Sequence, residues 1–326
     1  MTAFELMKSL PIPTQVDTLN VEKIRDGDFY ASRNHKGFAG LLLRLSTKNF
    51  KFLTFSSEAL EIRVRDDCNI EAHDSKEVIR ALLIQPKIEN MEVVIGSFAD
   101  AILNYGFNNK ENYDQLNDYL NRLIQLFTYK TDDNFPLNTA IGLWGELYAI
   151  SMLPSLLTYW KGSEGTTFDF QEKGISLEIK ASQKGRSFKI QSSQLQANAE
   201  KSFLMAINIE LNYESGKSTV DLVDDIIRII PSDHIFDFTL GLSRRGFVLG
   251  NKISNFNKPF NLMSDYPALI DLNKLNQELS DTINSILRLI EDGIVSKTEF
   301  TLNYAQVKAL ENTTYHEFIN QISGLS

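Results

Sequence analysis

The segment Ile175–Ser182, with the sequence ISLEIKAS, constrains the fold more than any other stretch of this chain. Apolar and polar residues alternate along it, which is the period of a β-strand whose two faces differ. The predicted apolar face holds Ile175, Leu177 and Ile179. The predicted polar face holds Ser176, Glu178, Lys180 and Ser182. A glutamate and a lysine therefore lie two residues apart on one side of a single strand.

The neighbouring segments predict an order of helix, three strands, helix and strand. NTAIGLWGELYAISML is typical of a helix, with Asn138 or Thr139 as its N-cap and Pro154 after its end. The strands are predicted in TTFDF, ISLEIKAS, RSFKI and SFLMAINIEL, and a short helix in SSQLQANAEK, opened by Ser192 or Ser193. The four residues QEKG join the first two strands as a hairpin turn.

The hairpin predicts how an aspartate approaches the glutamate. If QEKG turns symmetrically, Phe170 pairs with Ile175, and Asp169 pairs with Ser176, diagonally beside Glu178. Two carboxylates and an ammonium then converge, and Mg²⁺ commonly takes one or two carboxylates plus water and phosphate oxygens. Lys180 could orient a water or offset charge in a transition state. The alternative is an ordinary solvated hairpin with a surface ion pair.

Composition excludes several classes of protein. The chain of 326 residues carries a net charge of -9 and a single cysteine, Cys68, so no intramolecular disulfide can form. Its four histidines are far apart, it has no G-x-x-x-x-G-K-[ST] loop, and no apolar run is long enough to span a membrane. The beginning of the chain has no apolar signal core. We therefore expect a cytoplasmic protein without a membrane partner, without a zinc site and without ATPase activity of its own.

The chain length favours about two domains, and the pattern of elements suggests three regions. We expect an N-terminal β-rich domain with helices over residues 1–130 and a mixed α/β core over 131–230. A mainly helical region is expected over 231–326, where LNKLNQELSDTINSILRLIEDG predicts an amphipathic helix that ends near Gly293. The expected fold class is α/β (α+β).

These features together resemble the PD-(D/E)XK nuclease superfamily, and in particular bacterial members found in restriction and phage-defence gene clusters. The resemblance lies in GLWGEL, FDF, LEIKAS and SSQL, within residues 135–212. Phe168 replaces the proline of the family name. The resemblance implies a restriction-endonuclease-like αβββαβ core, a Mg²⁺ or Mn²⁺ cofactor and cleavage of DNA. RNA as substrate, further defence proteins as partners and a homodimer stay open.

The resemblance also implies roles for individual residues. Asp169, Glu178 and the Ile179 carbonyl would bind the metal, Glu146 would bind a second metal or a water near it, and Lys180 would assist the attacking water. Ser182, Arg186, Lys189 and Gln194 would contact DNA or support the site, and Ile179–Ala199 contains no acidic residue. For each helper a solvated surface position is the alternative, and for Glu146 a rim position in water.

Two functions follow as expectations. The first is a metal-dependent DNA endonuclease that acts as a restriction or anti-phage effector. The second is a catalytically silent DNA-binding or scaffold subunit that keeps the nuclease fold within a multi-protein defence complex.

Overall fold

The structure is a computed structural model. It describes residues 2–24, 28–45, 52–72, 75–88, 91–104, 113–128, 135–161, 167–172, 174–183, 187–191, 194, 201–248, 253–264, 267–278, 299–303, 311, 313–314 and 317–318. The strands are β1 Thr18–Lys23, β2 Phe29–Arg33, β3 Ala39–Arg44, β4 Phe55–Ser56, β5 Leu60–Ala72, β6 Ser75–Pro86, β7 Phe170–Glu172, β8 Ile175–Gln183, β9 Ser187–Gln191, β10 Lys201–Leu211, β11 Phe260–Leu262, β12 Ala268–Asp271 and β13 Glu299–Asn303. The helices are α1 Ala3–Ser9, α2 Glu92–Asn104, α3 Tyr113–Thr128, α4 Leu137–Met152, α5 Thr219–Ile229, α6 Ser232–Arg244 and α7 Leu272–Glu278, with 3₁₀ turns at Pro154–Tyr159 and Ser254–Asn257.

The chain divides into two compact units instead of the three expected regions. The first unit is Met1–Thr131 with Ile230–Asn251, and the second is Asp132–Ile229 with Lys252–Ser326. The expected mainly helical region 231–326 is thus divided between the units. Helix α6 packs against α2 in the first core, whereas strands β11 and β12 pair with β10 in the second.

The first unit is built around one six-stranded sheet in the order β1-β2-β3-β6-β5-β4, and β1 also pairs in parallel with β5. Alternation along β3 buries both faces of this sheet. Leu41 and Leu43 join the core formed with α1, α2, α3 and α6, where Phe98 contacts Phe236 edge to face. Leu42 joins a smaller cluster on the other face with Leu19, Val21, Cys68, Ile70, Ile79, Ala81 and Leu83.

The second unit contains the predicted order of helix, three strands and a further strand. Its sheet runs β11-β10-β8-β7, with β12 also paired to β10. Strand β9 leaves this sheet and pairs with β13, so the three strands do not form a simple meander. Of the predicted helix in SSQLQANAEK only Gln194 is described, and it is helical; the candidate caps Ser192 and Ser193 lie outside the described residues.

Helix α4 packs closely on β8 because its glycine allows it. A Cβ on Gly145 would lie 2.7 Å from the Ala181 Cβ and 3.2 Å from the Ile179 Cγ2. The prediction of Asn138 or Thr139 as the N-cap is wrong, since the helix begins at Leu137 directly after Pro136, with no side-chain cap. The proline, with φ −61°, fixes the backbone where the helix starts and donates no N–H.

The C-terminal helix is confirmed over Leu272–Glu278, and its predicted continuation to Gly293 lies outside the described residues. Among the helices that the structure describes, none has both the length and the hydropathy required to cross a bilayer.

Candidate active site

Strand β8 positions the predicted glutamate and lysine at the centre of the second sheet. Strand β10 pairs with β8 in parallel from Ile175 to Gln183, so Glu178 lies beside Leu204, and Lys180 beside Ala206. Glu178 is 5% exposed, and the Lys180 Nζ lies 2.5 Å from its Oε1. The polar face of β8 is therefore buried at Glu178. The alternative interpretation, a solvated hairpin with a surface ion pair, does not describe this pair.

The hairpin register differs from the symmetric prediction by two residues. Phe170 pairs with Leu177 instead of Ile175, which leaves two residues for the turn, and Gly174 there has φ +82°. A two-residue turn with positive φ matches the twist of antiparallel strands. Continued by one residue, this register places Asp169 directly opposite Glu178 instead of diagonally from it.

Asp169 is held against the edge of β8 by the backbone. The Ile179 N–H donates to the Asp169 Oδ2 at 2.9 Å. In a strand the N–H and the carbonyl of one residue point to the same edge. The Ile179 carbonyl therefore points to the edge on which Asp169 lies, and the sequence prediction of these two oxygen donors is compatible with this geometry.

The two carboxylates interact electrostatically. The pKa of Glu178 is raised to about 7, mainly because the carboxylate is buried; the Asp169 charge also raises it, and the Lys180 ammonium opposes both effects. Buried acids that repel each other are relieved by a cation between them. A divalent ion held between the two carboxylates would therefore reduce their mutual repulsion.

Gln194 connects the carboxylate to the surrounding backbone. Its side chain hydrogen-bonds to Glu178, its Nε2 donates to the Thr167 carbonyl at 3.2 Å, and its Oε1 accepts from the Gln191 N–H at 3.0 Å. Gln194 is itself buried. The predicted supporting glutamine thus lies at the site, and it contacts the carboxylate.

Glu146 lies on α4, which packs on the Ile179 and Ala181 face of β8, opposite to the face of Glu178. It is 4% exposed, so the rim position in water is wrong. The Trp160 indole Nε1 donates to its Oε2 at 2.7 Å. Trp160 was not predicted from the sequence, since it lies 14 residues away in a segment without a motif.

The helper residues separate into three groups. Ser182 is buried on the same face of β8 as Glu178, and it pairs in register with Asn208 of β10. Neither the Ser182 Oγ nor the Asn208 Oδ1 has a hydrogen-bond partner. Asn208 was missed, although it is the polar residue that interrupts the apolar run of β10. Lys189 is exposed on β9, and Arg186 lies outside the described residues.

The donor set can be compared with the needs of a metal ion. Within the described ranges, no three or more Asp, Glu, His or Cys side chains form a group able to hold one. Asp169, Glu178 and the Ile179 carbonyl supply two carboxylates and one backbone oxygen. This set fits Mg²⁺, which keeps several waters and takes phosphate oxygens from its substrate. It does not fit zinc, which prefers nitrogen and sulfur ligands.

A mixed sheet that brings an aspartate opposite an E-x-K strand, beside a helix with a buried glutamate, defines the class of PD-(D/E)XK proteins. A family described as "Putative PD-(D/E)XK family member (DUF4420)" matches residues 4–255, and the chain belongs to this family. The PD-(D/E)XK superfamily consists generally of nucleases. No curated protein matches the chain, and no solved structure does.

Proposed function

We propose that this protein is a Mg²⁺- or Mn²⁺-dependent DNA endonuclease that hydrolyses phosphodiester bonds. The observation that supports it is the convergence of Asp169 and Glu178 across the hairpin, with the Lys180 ammonium 2.5 Å from Glu178. A defence role in the cytoplasm, as a restriction or anti-phage effector, is part of the proposal and derives from the resemblance of GLWGEL and LEIKAS.

Asp169, Glu178 and the Ile179 carbonyl would hold the metal ion. When bound, the ion supplies positive charge to the phosphoryl group and lowers the pKa of a water. The Asp169 Oδ2 accepts the Ile179 N–H, which holds this carboxylate at the edge of β8 as a candidate ligand. Gln194 restricts the rotation of the Glu178 carboxylate, which helps to fix the donor geometry before an ion arrives.

Lys180 has two tasks in this proposal. In the absence of an ion it lowers the cost of burying the Glu178 charge. Its side chain is 21% exposed, so the ammonium is within reach of solvent and of a phosphate backbone. There it would offset negative charge that develops on the phosphoryl oxygens and orient the attacking water.

Glu146 is proposed as a positioning residue and not as a ligand of the ion, because α4 packs on the face of β8 opposite to Glu178. It would hold Trp160, whose backbone pairs with Phe170 next to Asp169. The hydrogen bond from Trp160 fixes the Glu146 Oε2.

A specific observation favours the second candidate, a catalytically silent scaffold. Glu178 is paired with Lys180, and among the described residues no group of three acidic, His or Cys side chains is assembled. A silent protein would keep this ion pair permanently and bind DNA or other defence proteins through the same fold.

The two candidates are separated by a cleavage assay on plasmid DNA, phage DNA and RNA with Mg²⁺, Mn²⁺ or EDTA. The variants are Glu178→Ala and Lys180→Ala, and Lys217→Ala is the matched control because it removes an exposed lysine of the same unit that pairs with Asp225. We expect metal-dependent cutting by the wild type and Lys217→Ala, and a loss of at least a hundredfold in both site variants.

Direct binding of Mn²⁺, measured by calorimetry, completes the test. Saturable binding that is lost in Glu178→Ala supports the metal site. A wild type that binds DNA but neither binds Mn²⁺ nor cuts would establish the scaffold. Equal cutting by all variants would mean that Glu178 and Lys180 are not the catalytic residues.

A further inference from the structure

The first unit contains a cavity that the proposed nuclease site does not use. Strand β1 pairs with β5 only at Asn69–Glu71, near the end of β5. Among the described residues, the earlier part of β5 has no pairing with β1. Beside the earlier part of β5 lies a cavity of about 340 Å³. Openings of closed sheets are frequent ligand sites.

The lining of this cavity carries more positive than negative charge. Its lining includes the four cationic residues Lys36, Arg63, Arg65 and Lys87, against the two acids Asp17 and Glu61. This excess stands out in a chain whose net charge is -9. A local cationic surface of this kind attracts an anion.

The two arginines are placed to act together. They lie two residues apart on β5, and therefore on one face of the strand. Arg63 pairs across the sheet with Leu83, and Arg65 with Ala81, which belong to the smaller apolar cluster. The Arg63 side chain is 47% exposed and the Arg65 side chain is 26% exposed, so both can be reached from solvent. Their ion pairs are long: the Arg63 Nε lies 3.4 Å from Glu61, and the Arg65 Nε lies 3.7 Å from Asp67.

The lining of the cavity also contains apolar side chains. They are those of Val16, Leu19, Phe38, Leu83 and Pro86. A ligand that matches this lining has both an anionic group and a flat or apolar body. A phosphate suits the forked donors of arginine, and a nucleobase suits an aromatic and aliphatic wall.

The wall is also held in place before any ligand binds. The Asn34 Oδ1 accepts hydrogen bonds from the backbone N–H groups of Lys36 and Phe38, both at 3.0 Å, and Gly37 completes the turn at φ +83°. The Gln85 Nε2 donates to the Phe38 carbonyl at 3.2 Å, whereas its buried Oε1 has no donor. A fixed wall reduces the entropy lost on binding.

We propose that this cavity binds one phosphate-bearing nucleotide unit, with Arg63 and Arg65 on the phosphate and Phe38 beside the base. The unit comes either from a free nucleotide or from a nucleic-acid strand, which share this chemistry. This inference does not rest on the proposed nuclease activity, because the cavity and the carboxylates belong to different units of the chain.

The test is calorimetric titration of the full chain in EDTA, which excludes metal-dependent cleavage. The probes are the four deoxynucleoside monophosphates, the corresponding nucleosides, and a single-stranded 12-mer. We expect saturable binding of a monophosphate or of the 12-mer, and at least tenfold weaker binding of the nucleoside. Preference for the monophosphate identifies a free nucleotide as the source, and preference for the 12-mer identifies a strand.

The variants Arg63→Gln and Arg65→Gln are each expected to raise the Kd about tenfold or more, since each removes a charged hydrogen-bond donor. Arg44→Gln is the matched control. Arg44 is the last residue of β3, forms an ion pair with Glu77 and does not line the cavity. The proposal is overturned if no phosphate-bearing probe binds, or if Arg44→Gln weakens binding as much as the cavity variants. Circular dichroism of each variant shows that a lost affinity is not lost folding.

Discussion

The burial of Glu178 predicts that this carboxylate destabilises the folded protein at alkaline pH. Its pKa is raised to about 7 in the fold from an ordinary value of 4.5. The unfolded chain therefore loses this proton at lower pH than the folded chain. Stability is expected to fall as pH rises from about 4.5 towards 7, and to level off above 7.

The size of the effect follows from the pKa difference. At about 1.4 kcal/mol for each pKa unit, the difference between 4.5 and about 7 costs the fold ~3 kcal/mol once Glu178 is fully charged. Most of this loss is expected between pH 5 and pH 9. Glu178→Gln removes the titration, so its unfolding free energy relative to wild type should rise by that amount over this range.

The assay is urea unfolding followed by circular dichroism in EDTA at several values between pH 5 and pH 9. Any effect of the substitution that does not depend on pH cancels when the difference is compared between pH values. Glu210→Gln, which removes an exposed carboxylate from β10, is the control, and its difference should stay within about 0.5 kcal/mol. A flat difference for Glu178→Gln would refute the argument that burial governs this carboxylate.

Three further predictions concern the second unit. Millimolar Mg²⁺ at pH 8 should raise the thermal unfolding midpoint of the wild type but not that of Glu178→Ala, because an ion that binds only the folded state stabilises it. An equal rise in both proteins would contradict the metal site. Gly145→Ala should destabilise the fold by about 1–3 kcal/mol, because the new Cβ would lie 2.7 Å from the Ala181 Cβ of β8. Gly142→Ala should instead stabilise it by about 0.5–1 kcal/mol, because a Cβ there would meet nothing within 4 Å. Denaturant midpoints that fall in both variants would refute the packing argument. Trp160→Phe should cost about 1–3 kcal/mol in urea unfolding by removing the donor to Glu146, and a double-mutant cycle with Glu146→Ala that shows no coupling would exclude that hydrogen bond.

Local periodicity in the sequence determined much of the second unit. The alternation of ISLEIKAS placed Glu178, Lys180 and Ser182 on one face of β8, and the continuous apolar run of SFLMAINIEL predicted the neighbouring strand β10. The helical spacing before them predicted α4, which carries Glu146. These features depend on residues close together in the chain, and backbone geometry alone translates them into faces and elements.

Tertiary contacts decided the remaining features. Both faces of β8 are buried, which no alternating pattern indicates, and this burial sets the pKa of Glu178. The hairpin register followed from a two-residue turn, and the partner of Glu146 is a tryptophan from a separate segment. The division of residues 231–326 between two units likewise depends on which distant core each segment covers. Such choices are made by packing between elements far apart in the chain, and the free energy of that packing is not encoded in any short window of sequence.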